Sequence, residues 1–360
     1  MKHSTVQVPE VTIGIDLGDK FSYVCSVSAE GRVIGRERVA TRRESFTKFF
    51  GKHSPARVVI ECGTHSPWVS RLLEECGHEV IIANPRWASR KARKTDKIDA
   101  EQLARQGRID PSLLHPIRHR GVEAQRDLAV IRGRLALIEA RTKLINHVRG
   151  VVKSFGYRIR SCSAEAFANR AEAEMPEELK GVFGIVIEAI RRLTEDVRSC
   201  DKQVEQISKR YPETKQLRQV KGVGVLTALA FVLVIEDPRR FESSRLVGPY
   251  LGLVGRKFQT GDSDPQLRIT KSGDKLLRCL LTSSAHYIMG PFGEDCDLFR
   301  HGEGICRRGG MNAKKRAITA VARKLSVLLH ALWISGAKYE PLRNSARSKR
   351  NEKMALSGVR

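Results

Sequence analysis

"VTIGIDLGDK", residues 11–20, is a short apolar run that closes on a carboxylate and a glycine. Val11, Ile13 and Ile15 alternate as a strand with a buried face does. Asp16 then stands where a buried edge would take another aliphatic. Asp and Gly suit tight turns by themselves, so two readings stand: Asp16 begins a turn, or the strand aims its carboxylate at something. Two more β-rich runs follow, "FSYVCSVSA" and "RVIGRERVA", across "LGDK" and "EGR" turns, which predicts a meander. A helical stretch, "RRESFTKFFGKH", leads to a strand, "ARVVIE" (56–61). The helix "SPWVSRLLEECG" comes next, with Ser66 as N-cap and Gly77 at its end, and then a strand, "EVIIAN" (79–84). Three sequential strands followed by helix–strand–helix–strand is the order of an RNase H-like domain. An actin-like ATPase half-domain shares it, so order alone leaves both open.

Charge narrows the partners. Lys and Arg total 65 against 40 Asp and Glu, a net +25 over 360 residues. So basic a chain carries a field that nucleic acid satisfies. The 41% hydrophobic and 29% charged content is globular, with length for two or three domains. Eight cysteines lack any Cys-x-x-Cys pair, which excludes a zinc knuckle or dithiol redox motif. The start, "MKHSTVQVPE", has no apolar signal core and no run reaches bilayer length, so a cytoplasmic, nucleoid-associated protein without a membrane partner is expected.

From about residue 120 the texture is helical. Leu128, Ile131, Leu135, Ile138, Thr142, Ile145, Arg149 and Val152 fall at three- and four-residue steps, a seam with two polar positions. Phe183, Val186, Ile190, Leu193, Val197, Cys200, Val204 and Ile207 repeat the spacing unbroken. Such helices form an antiparallel hairpin or an intermolecular coiled coil. The polar segment between them, "RIRSCSAEAFANRAEAEMPEE", lacks the seam and reads as the connection. Beyond 216, "VKGVGVLTALAFVLVI" resembles the Gly-x-Gly helix start of helix-hairpin-helix modules, where backbone amides can face a phosphate. In "NAKKRAITAVARKLSVLLHALW", Ile318, Val321, Leu325, Leu328, Leu329 and Leu332 share a stripe that leaves the basic residues outside.

Four acids carry the chemistry. Asp16 and Glu61 end strands, and "RKARKTDKIDAEQLA" sets Asp96 and Asp99 three apart at a helix start, on one face. In an RNase H-like sheet the two strands are neighbours, and a helix across that edge would bring all four carboxylates together. Singly, Asp16 reads as a turn residue, Glu61 as surface, Asp96 as an N-cap and Asp99 as its dipole partner. Jointly, four acids without a counter-charge repel one another, and divalent metal, Mg²⁺ or Mn²⁺, resolves that. Metal so held suits phosphoryl transfer. Just before Asp96, "RWASRKARK" packs five positive charges into nine residues, and Arg86, Arg90, Lys91, Arg93 and Lys94 suit a phosphate backbone.

"IGIDLG", "VVIECGTHS", "KTDKIDA" and, far downstream, "YLGLVGRKFQTGDSDPQLRITKSGDKLLR" resemble the DEDD-type transposases of bacterial insertion sequences, the insertion-sequence one-ten family. "AHYIMGPFGEDCDLFRHG" and "GGMNAKKRAITAVARKL" extend the resemblance over nearly the whole chain. It implies an α/β plus all-α protein. A RuvC-like RNase H-fold catalytic domain would span 8–115, a coiled-coil region 116–212, a C-terminal transposase domain 213–340, and a basic disordered tail 341–360. It implies a two-part active site: the acids with Mg²⁺ (or Mn²⁺), and a C-terminal hydroxyl that attaches covalently to DNA. It also implies double-stranded donor and target DNA, a structured guide RNA made from the element, and a homo-dimer or homo-tetramer. The family has serine directly before the glycine of "QTGDSDPQ", and here that residue is Thr260. Three readings compete: Thr260 attacks, Ser263 has taken over as alternative nucleophile, or the copy is impaired. Thr260 is favoured, because Ser263 lies off the family's nucleophile position and Ser272 fits less well still. Arg256, Lys257, Arg268 and Lys271 would hold the scissile phosphate under each reading.

Two rivals remain. An actin-like ATPase or sugar kinase also begins with Ile-Asp-x-Gly, but it needs a second such loop and a Gly-rich adenosine motif, neither of which stands in strand context. A relic that binds DNA or RNA without cutting is argued against by the four intact acids.

Overall fold

The alternation at 11–16 becomes β1 (Val11–Asp16), which leads a meander through β2 (Phe21–Ser28) and β3 (Val33–Ala40). There follow α1 (Arg43–Phe50), β4 (Arg57–Glu61), α2 (Ser66–Glu75), β5 (Glu79–Ala83) and α3 (Asp96–Ile109). These belong to the first of two units, Met1–Arg120. The structure is a computed structural model and describes residues 10–84, 96–265 and 267–344. Strand order is β3-β2-β1-β4-β5, with β2 antiparallel to both β1 and β3, and with β4 and β5 parallel to β1.

Period-two alternation assigns the two faces. Ile13, Ile15, Val24, Val58 and Ile60 pack with Phe46 and Phe50 of α1 and Val69 and Leu73 of α2. Cys25, Val27 and Val59, on the opposite face, receive Ala100, Leu103 and Ala104 of α3. Ser66 differs from its expected role. It is the first residue of α2, and its hydroxyl bonds to the Gly63 amide and carbonyl (2.9 and 2.8 Å), fastening the loop after Glu61. Gly77 does end the helix, at φ +87°, a conformation few other residues adopt.

The second unit, Gly121–Arg360, is helical. It contains α4 (Val122–Ser154), α5 (Phe167–Glu174), α6 (Glu177–Ser208), α7 (Glu213–Leu217), α8 (Val225–Ile235), α9 (Val247–Tyr250), α10 (Lys275–Ile288), α11 (Asp297–Arg307) and α12 (Ala313–Ser335). The two long helices pair with each other inside the chain. Arg134 bonds Asp201, Arg141 bonds Thr194, and His147 meets Phe183, so the partners run in opposite directions. The buried stripe differs in part from the expected seam. In α4 it takes Arg141 and Val148 where Thr142 and Arg149 were expected, and Leu135 is exposed. At 3.6 residues per turn, a strict seven-residue repeat drifts around the helix. The connection also holds α5, whose Phe167, Ala168 and Ala171 are buried against the far end of the pair.

The other end joins the main core, where α8 is buried all round and Leu325, Leu329 and Leu332 of α12 pack beside it. By length and composition alone α12 is apolar enough to cross a membrane, although no such run was expected from the sequence. Half of its most apolar window is buried inside the protein.

Candidate active site

Asp16 and Glu61 end neighbouring parallel strands. The register pairs Ile15 with Ile60, so the two acids follow side by side, both half-buried. Parity puts them on the α3 face: Gly14 and Val59, two residues earlier on each strand, both lie under α3. The helix is held there by backbone contact. A β-carbon on Gly14 would overlap the Ala100 carbonyl, and one on Gly107 would strike the Val59 side chain. Arg57, at the start of β4, donates to the Gly107 carbonyl (3.1 Å). The C-terminal half of α3 therefore lies over the start of β4, and its N-terminus points to where β1 and β4 finish. Asp99 is half-buried near that N-terminus. Asp96 opens the helix one turn before Ala100, and its side chain lies outside the described residues.

Replacing Gly14 with Ala is thus expected to destabilise the first unit by about 3 kcal/mol, the upper end for overpacking, because backbone yields less than side chain. Gly150 of α4 has open space around it. There the same change should raise stability by up to about 1 kcal/mol, through helix propensity alone. Paired thermal melts of the two variants check both signs.

Several supporting residues carry no sequence signal. Ser66 is completely buried, and His119 also bonds its hydroxyl (2.8 Å). Burial, followed by Arg71 and Arg120, holds His119 below the usual imidazole range. His65 lies 3.6 Å from Asp19 of the β1–β2 turn. Arg36 and Arg105 clasp Glu101 of α3 (2.6 and 2.8 Å), and their hydrogen bonds, that of Arg36 first, lower its carboxyl pKa. Apart from Arg105 and Glu101, which pair one turn apart within α3, these partners are joined across elements, so only folding reveals them.

The donor chemistry at the strand ends, carboxylate oxygen throughout, fits a hard divalent cation. Among the described residues no three His, Cys, Asp or Glu side chains are already gathered closely enough to hold one. Arg86, Arg90, Lys91, Arg93 and Lys94 lie outside the described residues, as do 345–360 of the expected tail.

In the second unit the expected nucleophile sits on a projecting turn. Thr260 and Ser263 exchange both backbone hydrogen bonds (3.1 Å each) across Gly261 and Asp262. A pair bonded in this way presents its side chains on one face, with α-carbons about 5.5 Å apart. Both residues are exposed, so the two competing hydroxyls are neighbours. Arg256 and Arg268 face each other through a backbone bond (3.0 Å), Lys257 lies 3.7 Å from Asp264, and Lys271 has φ +55°. The base is clamped. A β-carbon on Gly252 would strike the Ser272 backbone, and one on Gly273 the Tyr250 carbonyl. Asp274 caps α10 through Leu277 N (3.0 Å) and takes Arg132 at 3.0 Å.

Residues 13–156 match a DEDD-type IS110 family described as "Transposase", and residues 214–294 match "Transposase IS116/IS110/IS902 family". The transposase for insertion sequence element IS1328 of Yersinia enterocolitica is 30% identical over 292 residues, 78% of this chain and 85% of that protein. The chain belongs to the IS110 family of insertion-sequence transposases. Members are DNA-cutting and rejoining enzymes, and this chain is one of them. The IS1111A transposase of Coxiella burnetii is 25% identical over 333 residues, 89% of this chain and 88% of its own. The pilin gene-inverting protein of Moraxella lacunata is 27% identical over 267 residues, 71% and 72% of the two chains. DEDD-type transposases generally use divalent metal ions, and both family matches cover candidate residues: the four acids in the first, Thr260 and Ser263 in the second.

Proposed function

We propose that Asp16, Glu61, Asp96 and Asp99 form the carboxylate site of an RNase H-like domain, and that Thr260 is the attacking hydroxyl. The carrying observation is the register that ends β1 and β4 on adjacent acids beneath the N-terminus of α3. The 3-2-1-4-5 strand order supports the RNase H-like reading. Mg²⁺ or Mn²⁺ held by the four acids would stabilise charge at the phosphate. The Thr260 oxygen forms a bond to phosphorus as its proton leaves, and the bond from phosphorus to the leaving deoxyribose oxygen breaks. The oxygen released takes up a proton, DNA stays joined to the protein, and rejoining reverses the step. Arg256, Lys257, Arg268 and Lys271 hold the phosphate by charge-assisted hydrogen bonds. Arg86, Arg90, Lys91, Arg93 and Lys94 bind duplex backbone.

An element-encoded structured RNA and assembly as a homo-dimer or homo-tetramer complete this reading. Two duplexes must be held together for exchange, and symmetric assembly supplies that. Recombination of a plasmid carrying the element ends is expected with Mg²⁺ or Mn²⁺ and absent in EDTA, with DNA retention on filters persisting in both. Undiminished recombination in EDTA would overturn the carboxylate assignment.

A further inference from the structure

Phe21 begins β2 and is 42% exposed, on the same sheet face as the carboxylates. The register explains why that placement matters. Tyr23 lies directly opposite Asp16 on the next strand, and Arg38 of β3 lies directly opposite Tyr23. Arg38, Tyr23, Asp16 and then Glu61 therefore form one row across the sheet, all on the α3 face. Tyr23 packs at the edge of the area that α3 covers, against the cluster of Cys25, Val27, Ala100 and Ala104, and Phe21, two residues earlier on β2, lies beyond it and open to solvent.

The Arg38 guanidinium sits 3.9 Å from the Phe21 ring centroid and 5.9 Å from that of Tyr23. Among the described residues no carboxylate pairs with Arg38. Arg36, two residues earlier on the same face, is instead consumed by Glu101. Beside Arg38 runs an open cleft of about 350 Å³, lined by Tyr23, Cys25, Arg36, Glu37, Arg38 and Ala100 among others. A flat ring left open, an uncompensated guanidinium stacked on it and room alongside are what an unpaired nucleobase uses, since every base offers a π-face.

We propose that Phe21, Tyr23 and Arg38 form a stacking platform for an unpaired nucleotide of the DNA strand that is cut. This rests on the reading of Asp16 and Glu61 as the cutting site, one strand away. These are positioning residues: they hold the strand beside the carboxylates without touching the reacting atoms.

The test uses the full chain and oligonucleotides carrying 2-aminopurine, as single-stranded DNA, single-stranded RNA and duplex DNA. Phe21→Leu keeps apolar bulk but removes the aromatic face, and Arg38→Gln removes the cation. Each is expected to weaken single-stranded DNA binding about tenfold and to lose the stacking quench of the probe, since one stacked base is worth about that factor or more. Duplex binding and thermal melting should stay unchanged, and Arg36→Gln should have a smaller effect. Wild-type affinity and quench in both variants would overturn the proposal, as would equal losses on duplex and single strand. A loss confined to RNA would overturn it too, by assigning the platform to an RNA strand. Asp16→Asn separates this from the parent reading: it should bind and quench normally while failing to cut. If that variant still cuts, the carboxylate assignment fails, and the platform measurement stands on its own.

Discussion

Asp16→Asn and Asp99→Asn are each expected to abolish most recombination, a loss of more than about 100-fold. Disturbing groups that only support metal ligands typically costs 10- to 100-fold, and removing a ligand exceeds that. The amide keeps the carboxylate's shape, so packing between β1 and α3 should survive. DNA binding should hold or tighten, because a negative charge leaves the vicinity of phosphate. Asp19→Asn is the comparison. That residue is exposed and, among the described residues, is paired with His65 at 3.6 Å alone, so its loss should be slight. Plasmid recombination and filter binding, run side by side, read both quantities. Full activity in Asp16→Asn or Asp99→Asn would sink the carboxylate site.

The second large effect concerns the turn. Thr260→Ala should lower recombination on the order of 10³-fold or more, as expected when a nucleophile is deleted. Ser263→Ala should keep most activity, although its hydroxyl is Thr260's cross-turn neighbour. Thr260→Ser should match or exceed the natural chain, because the threonine methyl restricts rotamers and crowds approach to phosphorus. The opposite ranking of the two alanine variants would assign the attack to Ser263.

The sheet was legible because its strands announce themselves. Val11, Ile13 and Ile15 alternate, "LGDK" and "EGR" break the runs, and both crossovers carry helical patterns. The placement of α3 was less so. It depends on two glycines, Gly14, which admits the helix backbone, and Gly107, which admits the Val59 side chain, and nothing in a local window separates them from turn glycines. The long helices were legible as a pair, but the buried stripe slid from Thr142 and Arg149 to Arg141 and Val148. A buried arginine there is acceptable only because Thr194 and Glu165 meet it, and both are distant in sequence. The pairing of Thr260 with Ser263 was missed for another reason. "QTGDSDPQ" lacks apolar alternation, so its two-residue turn shows only in the reciprocal backbone bonds. Phe21 and Tyr23 read as ordinary strand residues until the register set Tyr23 opposite Asp16, with Phe21 two residues away on the same face.

Covalent chemistry at Thr260 is the center of this account, and trapping the joined species tests it most directly. The full chain would be incubated with a DNA substrate nicked beside the scissile phosphate, so that the released end diffuses away and the adduct accumulates. After digestion, mass spectrometry locates the nucleotide on the protein. The account predicts a phosphodiester on Thr260 that vanishes in Thr260→Ala and is strongly reduced in Asp16→Asn. An adduct on Ser263 would contradict it, and so would an adduct that forms only after Thr260 is changed to Ser.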